Sequence, residues 1–206
     1  MNVMSKTKQG LPLIVISGAS GSGKTSICRK IAAEHGYYYS VSHTTRPRRD
    51  KEVEGKDYFF IAAPEFEQLI KRREFLEWAQ VYGNYYGTSK SIIREKQKAG
   101  VGVILDVDTQ GAANIKKIFP DAVLIFLKTR SVHDLHHRLT ERGRDSHEEI
   151  QKRVAYAQNE NAKMHQYDYV VLNDDFDQAI RSVKDIIEKS IQHDHDWWNF
   201  KRDQIV

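Results

Sequence analysis

Gly18-Ala19-Ser20-Gly21-Ser22-Gly23-Lys24-Thr25 reads G-x-x-x-x-G-K-[ST], and its setting decides the fold. The apolar run Leu13-Ile14-Val15-Ile16 precedes it, and Ile27, Cys28, Ile31 and Ala32 recur afterwards on one helical face. Strand, glycine-rich loop and helix are together the context in which this motif binds phosphate. Glycines permit conformations and close approaches that a Cβ would block, so successive N–H groups converge on phosphate oxygens at the positive end of the new helix. In this pattern Lys24 reaches the β- and γ-phosphates and the Thr25 hydroxyl ligates Mg²⁺. The chain is therefore expected to bind a nucleoside triphosphate, with residues 18–25 as its phosphate cradle. A glycine-serine turn that merely opens a helix is the plain alternative, and Lys24-Thr25 in register behind a buried strand weigh against it.

Outward from the loop, composition narrows the class. The chain has 206 residues, 40% of them hydrophobic and 29% charged, which is enough apolar material for a real core and leaves little room for disorder. Its net charge of +4 suits small anionic substrates and is too modest to argue for nucleic acid. The single cysteine, Cys28, excludes an internal disulfide and sits on the apolar helical face, where a small buried side chain is the simpler reading. No apolar run approaches membrane-spanning length, and Met1 to Gly10 lacks a signal peptide's apolar stretch. A cytoplasmic enzyme without membrane or nucleic-acid partners is the expectation.

After a stop at Gly36, Tyr37–Val41 reads as a strand, and Ser42 to Arg49 as a polar, basic segment. A short strand is expected at Asp57–Ile61. A helix opens near Pro64 with Phe66, Leu69 and Ile70 inward, and strands at Phe75–Val81 and Tyr85-Tyr86 flank a turn at Gly83-Asn84. Ser89–Lys98 is helical. Val101–Val107 and Ala122–Leu127 have the continuous apolar character of buried parallel strands, and helices are expected at Gln110–Ile118, His133–Arg142, Glu148–Met164 and Phe176–Ile191, with a strand at Tyr169–Leu172. Strands alternating with helices imply an α/β fold: a three-layer core with a mainly parallel sheet, interrupted by a denser β-pattern. The expected division is core at 1–40, an inserted mixed α+β unit at 41–89, core again at 90–132, a helical lid at 133–157, and core with a C-terminal tail at 158–206.

The inserted region carries Ser42-His43-Thr44-Thr45-Arg46, Glu52-Val53-Glu54-Gly55-Lys56-Asp57-Tyr58, Phe75-Leu76-Glu77-Trp78-Ala79 and Gly83-Asn84-Tyr85-Tyr86-Gly87-Thr88, followed later by Ile104-Leu105-Asp106-Val107-Asp108. In order and spacing these blocks resemble the guanylate kinases, from the phosphate loop to about Asp174. The resemblance implies a kinase that moves the ATP γ-phosphoryl group to GMP with Mg²⁺, the acceptor lying in the insertion. Arg46 and Arg49 would grip the acceptor phosphate with planar, bidentate forks. The family's motif there is Arg-x-Pro-Arg, whereas this chain has Arg46-Pro47-Arg48-Arg49. Ungapped counting to Tyr58 selects Arg49 as the second arginine, and a locally shifted loop would select Arg48. Tyr58 and Tyr86 would donate phenolic hydroxyls to the same phosphate.

Guanine shows N–H donors and the O6 acceptor, so its reader needs a carboxylate, Glu77, with hydroxyl donors from Ser42 and Thr88. Asp106 ends its strand at the ligand crevice, acting on Mg²⁺ through water or orienting the acceptor-site arginines, and Asp108 points the same way towards the guanine amino group. The resemblance also implies that Arg142 and Arg153 are lid arginines on the transferring phosphoryl group, with Arg138 near adenine and Asn173-Asp174 on the adenine side. Without the family match the lid arginines would read as a solvated helix face; strand-end caps are the plain alternative for the two aspartates.

His133, His136 and His137 begin the lid helix without a partnering cysteine and are not read as a metal site. The tail pair Trp197-Trp198 lies outside the resemblance, docking on the core or on a neighbouring subunit, or fraying; a homo-oligomer stays open. Two rival functions remain: a non-catalytic guanylate-kinase-like interaction module, against which the intact loop argues, and a kinase for another nucleoside monophosphate.

Overall fold

In a computed structural model that describes residues 12–141, 143 and 146–193, the apolar run at Leu13–Ile16 forms the centre of the molecule. Chain order is β1 (Leu13–Gly18), α1 (Lys24–His35), β2 (Tyr38–Ser40), β3 (His43–Thr44), β4 (Phe59–Phe60), α2 (Ala63–Lys71), β5 (Phe75–Val81) and β6 (Asn84–Ser89). There follow α3 (Lys90–Lys98), β7 (Val103–Asp106), α4 (Thr109–Ile118), β8 (Val123–Lys128), α5 (Val132–Glu141), α6 (His147–Asn161), β9 (Tyr169–Leu172) and α7 (Phe176–His193).

The core sheet has five strands in the order β2-β7-β1-β8-β9, every pair parallel. Strand alternation sorts the side chains into two buried layers. Ile14, Ile16, Ile104, Ile125 and Leu127 face α1 and α7, while Leu13, Val15, Val103, Leu105 and Leu124 face α3 and α4. Both faces are covered, which is why these strands read as unbroken apolar runs. The expected three-layer α/β architecture is the one observed. No helix among the described residues is long and apolar enough to cross a membrane.

The second sheet, order β4-β3-β6-β5, mixes one parallel pair with two antiparallel ones. Its outer face is an aromatic stack. Phe66 of α2 lies 4.4 Å from Phe75 and 5.2 Å from Tyr85, ring centroid to centroid, and is fully buried. A β-bulge between Phe75 and Glu77 places Glu77 opposite Thr88. The extra residue lets Phe75 join the aromatic stack and Leu76 enter the main core, while Glu77 turns to the opposite face.

Three local expectations change. The polar segment after Ser42 contains strand β3, because Thr44 and His43 pair with Tyr86 and Gly87 on one side and with Phe60 and Phe59 on the other. The hairpin turn is Tyr82-Gly83, since Asn84 already pairs with Val81. Helix α6 ends at Asn161, and Met164 belongs to a separate short 3₁₀ turn, Met164–Gln166. The tail pair Trp197-Trp198 lies outside the described residues.

Phe66 is the link between α2 and the second sheet, so Phe66→Ala should cost about 3–5 kcal/mol of folding free energy. Urea denaturation followed by tryptophan fluorescence checks this.

Candidate phosphate-loop site and acceptor cleft

The loop after β1 is held from below by Asn173, which follows β9. Its side-chain amide, in a residue only 3% exposed, donates to the Ser22 carbonyl at 2.7 Å. Gly23 has φ +94, and a β-carbon there would lie 2.4 Å from Asn173 Nδ2, so the contact needs glycine on both steric and conformational grounds. Asn173 thus braces the loop with the amide that was expected to face adenine, and its own carbonyl accepts from Arg138 Nη2 at 2.6 Å. Asp174 is paired with Arg130.

On the loop itself, Lys24 Nζ donates to the carbonyls of Gly18 (2.7 Å) and Ala19 (3.1 Å). Ala19 is buried among Leu135, Leu139, Ile150 and Ala157, the apolar faces of α5 and α6. Helices α5 and α6 therefore pack directly on the phosphate loop.

Parallel pairing sets Ile16 opposite Asp106, which brings the end of β7 beside the loop. There Thr25 Oγ1 donates to Asp106 Oδ2 at 2.6 Å. A hydroxyl in the first turn of α1 and a carboxylate at the end of β7 are the hard oxygen donors that Mg²⁺ takes. Asp108, two residues on, caps α4: its Oδ1 accepts from Gly111 N at 2.8 Å, while Oδ2 is buried without a hydrogen-bond partner among the described residues. The cap reading and the cleft-facing reading therefore both describe it.

From this corner a cleft of about 510 Å³ opens between the core and the second sheet. Glu77, Ala79 and Tyr86 line it from the sheet, Ser42, Arg46, Arg49 and Tyr58 from the preceding segment, and Asp106 and Asp108 from the core. Arg49 is half-buried in the wall, whereas Arg48 is exposed and is not among the lining residues. Arg46 makes an ion pair with Glu52 (2.7 and 3.0 Å), and its guanidinium carbon lies 5.5 Å from the Tyr58 ring centroid. Glu52 also accepts from the Arg49 backbone N–H at 2.9 Å, so one carboxylate sets the loop that carries both arginines. Burial opposes its ionisation, but the Arg46 and Arg49 hydrogen bonds outweigh that and hold its carboxyl below the usual range. No role had been read for Glu52 in the sequence, although it stands in a recognisable block.

Glu77 is buried, and Thr88 Oγ1 donates to its Oε1 at 2.6 Å. A β-carbon on Gly111 would come within 2.7 Å of Glu77 Oε2, so the absence of a side chain on α4 is what lets this carboxylate seat itself. Burial raises its pKa to about 7, against the Thr88 hydrogen bond and with help from nearby Asp108.

Glu160, for which sequence reasoning had no role, is a second buried carboxylate in the cleft wall, its pKa raised to about 7 by burial despite nearby Lys24 and a hydrogen bond from the Ser20 backbone. Its signal was faint: one acidic residue on a helix rich in them.

Arg153 of α6 donates from Nη1 to Ser20 Oγ at 2.7 Å, and both it and Arg138 line the cleft. Arg142 lies outside the described residues.

The comparisons agree with one another. A profile described as guanylate kinase matches residues 11–190. A guanylate kinase of Caldanaerobacter subterraneus subsp. tengcongensis is 46% identical over 185 residues, covering 89% of each chain. One of Psychrobacter arcticus is 46% identical over 176 residues, covering 85% of each. The crystal structure of guanylate kinase from Anaplasma phagocytophilum superposes with a TM-score of 0.73 at 29% identity, covering 88% of this chain and 87% of that one.

Glu77 and Glu160 hold protons to about pH 7 in the folded chain and only to the ordinary carboxylate range when unfolded. Between roughly pH 4.5 and 7 the folded state binds more protons, so each group lowers stability as pH rises, by about 1 kcal/mol per pH unit. Glu77→Gln removes one share. Urea midpoints at pH 5 and 7.5 should show the variant gaining on wild type at the higher pH.

Proposed function

Because the chain belongs to the guanylate kinase family, and is thus a nucleoside monophosphate kinase and phosphotransferase, we propose that it transfers the terminal phosphoryl group of ATP to GMP, giving ADP and GDP. The observation that carries the choice of acceptor is the buried Glu77 carboxylate, which lines the cleft and is held from behind by the Thr88 hydroxyl. A carboxylate accepts from guanine's N1–H and amino group. Adenine offers an acceptor at N1 and would leave Glu77 buried against a lone pair.

The residues divide the work along the cleft. Gly18, Ala19, Ser20, Gly21, Ser22 and Gly23 present the loop to the ATP phosphates, with Lys24 as the cation and Asn173 and Arg138 bracing the loop from behind. Asn173-Asp174 take the adenine side, as the family resemblance implies, with Asp174 ion-paired to Arg130. Arg46, Arg49, Tyr58 and Tyr86 take the acceptor phosphate; Glu77, Thr88, Ser42 and the spare oxygen of Asp108 take the base.

Thr25 and Asp106 would hold Mg²⁺, Asp106 through water; when bound, the ion neutralises charge on the triphosphate. Phosphoryl transfer leaves little covalent work, so the chain's own contribution is to align donor and acceptor and to place Arg153, and Arg142 with it, against the transferring group. The lid helices packed on Ala19 exclude water and so suppress hydrolysis. We propose that residues 41–89 act as the acceptor unit and residues 133–157 as the lid.

Coupled assay of ADP formation with GMP, AMP, UMP and CMP tests the reading: strong preference for GMP is expected, and equal use of AMP, or no ADP with any acceptor, contradicts it. Glu77→Ala should raise KM for GMP at least tenfold and narrow the gap between GMP and AMP.

A further inference from the structure

The tip of the β5–β6 hairpin is built against its own backbone preference. Its two turn residues, Tyr82 and Gly83, have φ +50 and +80. A two-residue turn with both central residues left-handed favours Asn-Gly, and Gly83 fits. Tyr82 does not: a bulky side chain at positive φ is sterically penalised, and nothing within the turn requires an aromatic ring there. Strain of this kind persists where surrounding contacts make use of it.

The ring's contacts lie across the cleft, on the lid. Its centroid is 5.1 Å from that of Tyr156 on α6, and the Arg153 guanidinium carbon lies 5.5 Å from the Tyr82 centroid. Tyr156 is in turn held by Gln110 of α4, whose Nε2 donates to the phenolic oxygen at 3.3 Å. Arg153 and Tyr156 are three residues apart and so share one face of α6. The hairpin tip of the acceptor sheet therefore meets that face of the lid, and Tyr82 is the residue that meets it.

Arg153 is a long side chain with considerable rotamer freedom, and its guanidinium touches both the Tyr82 ring and Ser20 Oγ on the phosphate loop. The electron-rich ring face attracts the guanidinium without itself drawing on its N–H donors. An apolar side chain of equal bulk would fill the space and lack that attraction.

We propose that Tyr82 is a positioning residue for phosphoryl transfer: its ring holds the Arg153 guanidinium towards the phosphate loop, so that the acceptor sheet itself orders the lid arginine. The inference rests on the assignment of Arg153 to the transferring group. It makes the placement of the hairpin and the readiness of the arginine one event, with Tyr82, itself in the cleft wall, acting through Arg153.

Four variants of the full chain test this by steady-state kinetics in both substrates, with urea unfolding alongside. Tyr82→Phe keeps the ring and should stay within about twofold of wild type. Tyr82→Leu keeps bulk without the ring face, and Tyr82→Asn suits the left-handed turn without a ring. Both should lower kcat about 3- to 30-fold, the range a cation–π contact commands, with KM for ATP within about twofold. Tyr82→Asn should be at least as stable as wild type, which separates lost positioning from lost folding. Arg153→Ala should lower kcat on the order of 10³-fold or more, and adding Tyr82→Asn to it should change kcat no further.

Wild-type kcat in Tyr82→Asn and Tyr82→Leu overturns the proposal, as does a Tyr82→Phe loss equal to that of Tyr82→Leu. Additive losses in the double variant overturn it too, by showing that Tyr82 acts elsewhere. An unchanged kcat in Arg153→Ala alone removes the role of Arg153 and the proposal with it, while the GMP preference of the wild-type enzyme would still stand.

Discussion

The parallel pairing of β1 with β7, which sets Ile16 opposite Asp106, is the constraint on which the rest depends. It brings two strand ends of different chemistry to one level: a glycine-rich loop that opens a helix, and a carboxylate. The Thr25–Asp106 hydrogen bond at 2.6 Å is its visible consequence. The pairing is secured by burial on both faces, since neither layer of core side chains survives a one-residue slip of β1. Open α/β sheets place ligands at such strand ends, and here the crevice is extended by a second sheet standing over it.

The cleft combines charges that would ordinarily repel its own ligands or one another. Arginines on one side suit phosphate, and the buried carboxylates Glu77 and Glu160 sit within the same walls. Each carboxylate is kept from unpaired ionisation by burial and given a hydrogen-bond donor, Thr88 for one and the Ser20 backbone for the other. Such perturbed groups in a cleft mark places where stability has been exchanged for recognition. Glu52 shows the opposite arrangement: wholly paired, it spends its charge on shaping the arginine loop.

The parts of this architecture legible in the sequence are those with local causes. Continuous apolar runs predicted β1, β7 and β8; glycines and Pro64 marked helix limits; the phosphate loop predicted its own strand and helix. What escaped reading was set at a distance. Strand β3 exists only because residues far along the chain pair with His43 and Thr44, and the bulge before Glu77 follows from two different cores competing for Phe75 and Leu76. Asn173 looked like a ligand contact, and only the packing of β9 beside the loop shows its amide on Ser22. Glu160 carried no motif at all and burial reveals it; Tyr82, with Tyr85 and Tyr86, read as hairpin packing, and a positive φ sets it apart.

The central claim is that the face of the second sheet turned to the core binds GMP while the phosphate loop binds ATP. Backbone amide NMR of the ¹⁵N-labelled chain titrated with GMP alone tests it most directly. The account predicts shift changes concentrated at Ser42, Arg49, Glu77, Tyr86 and Thr88, with the amides of residues 18–25 responding chiefly to a later addition of an ATP analogue. Changes confined to residues 18–25 on adding GMP, with the second sheet silent, would contradict it.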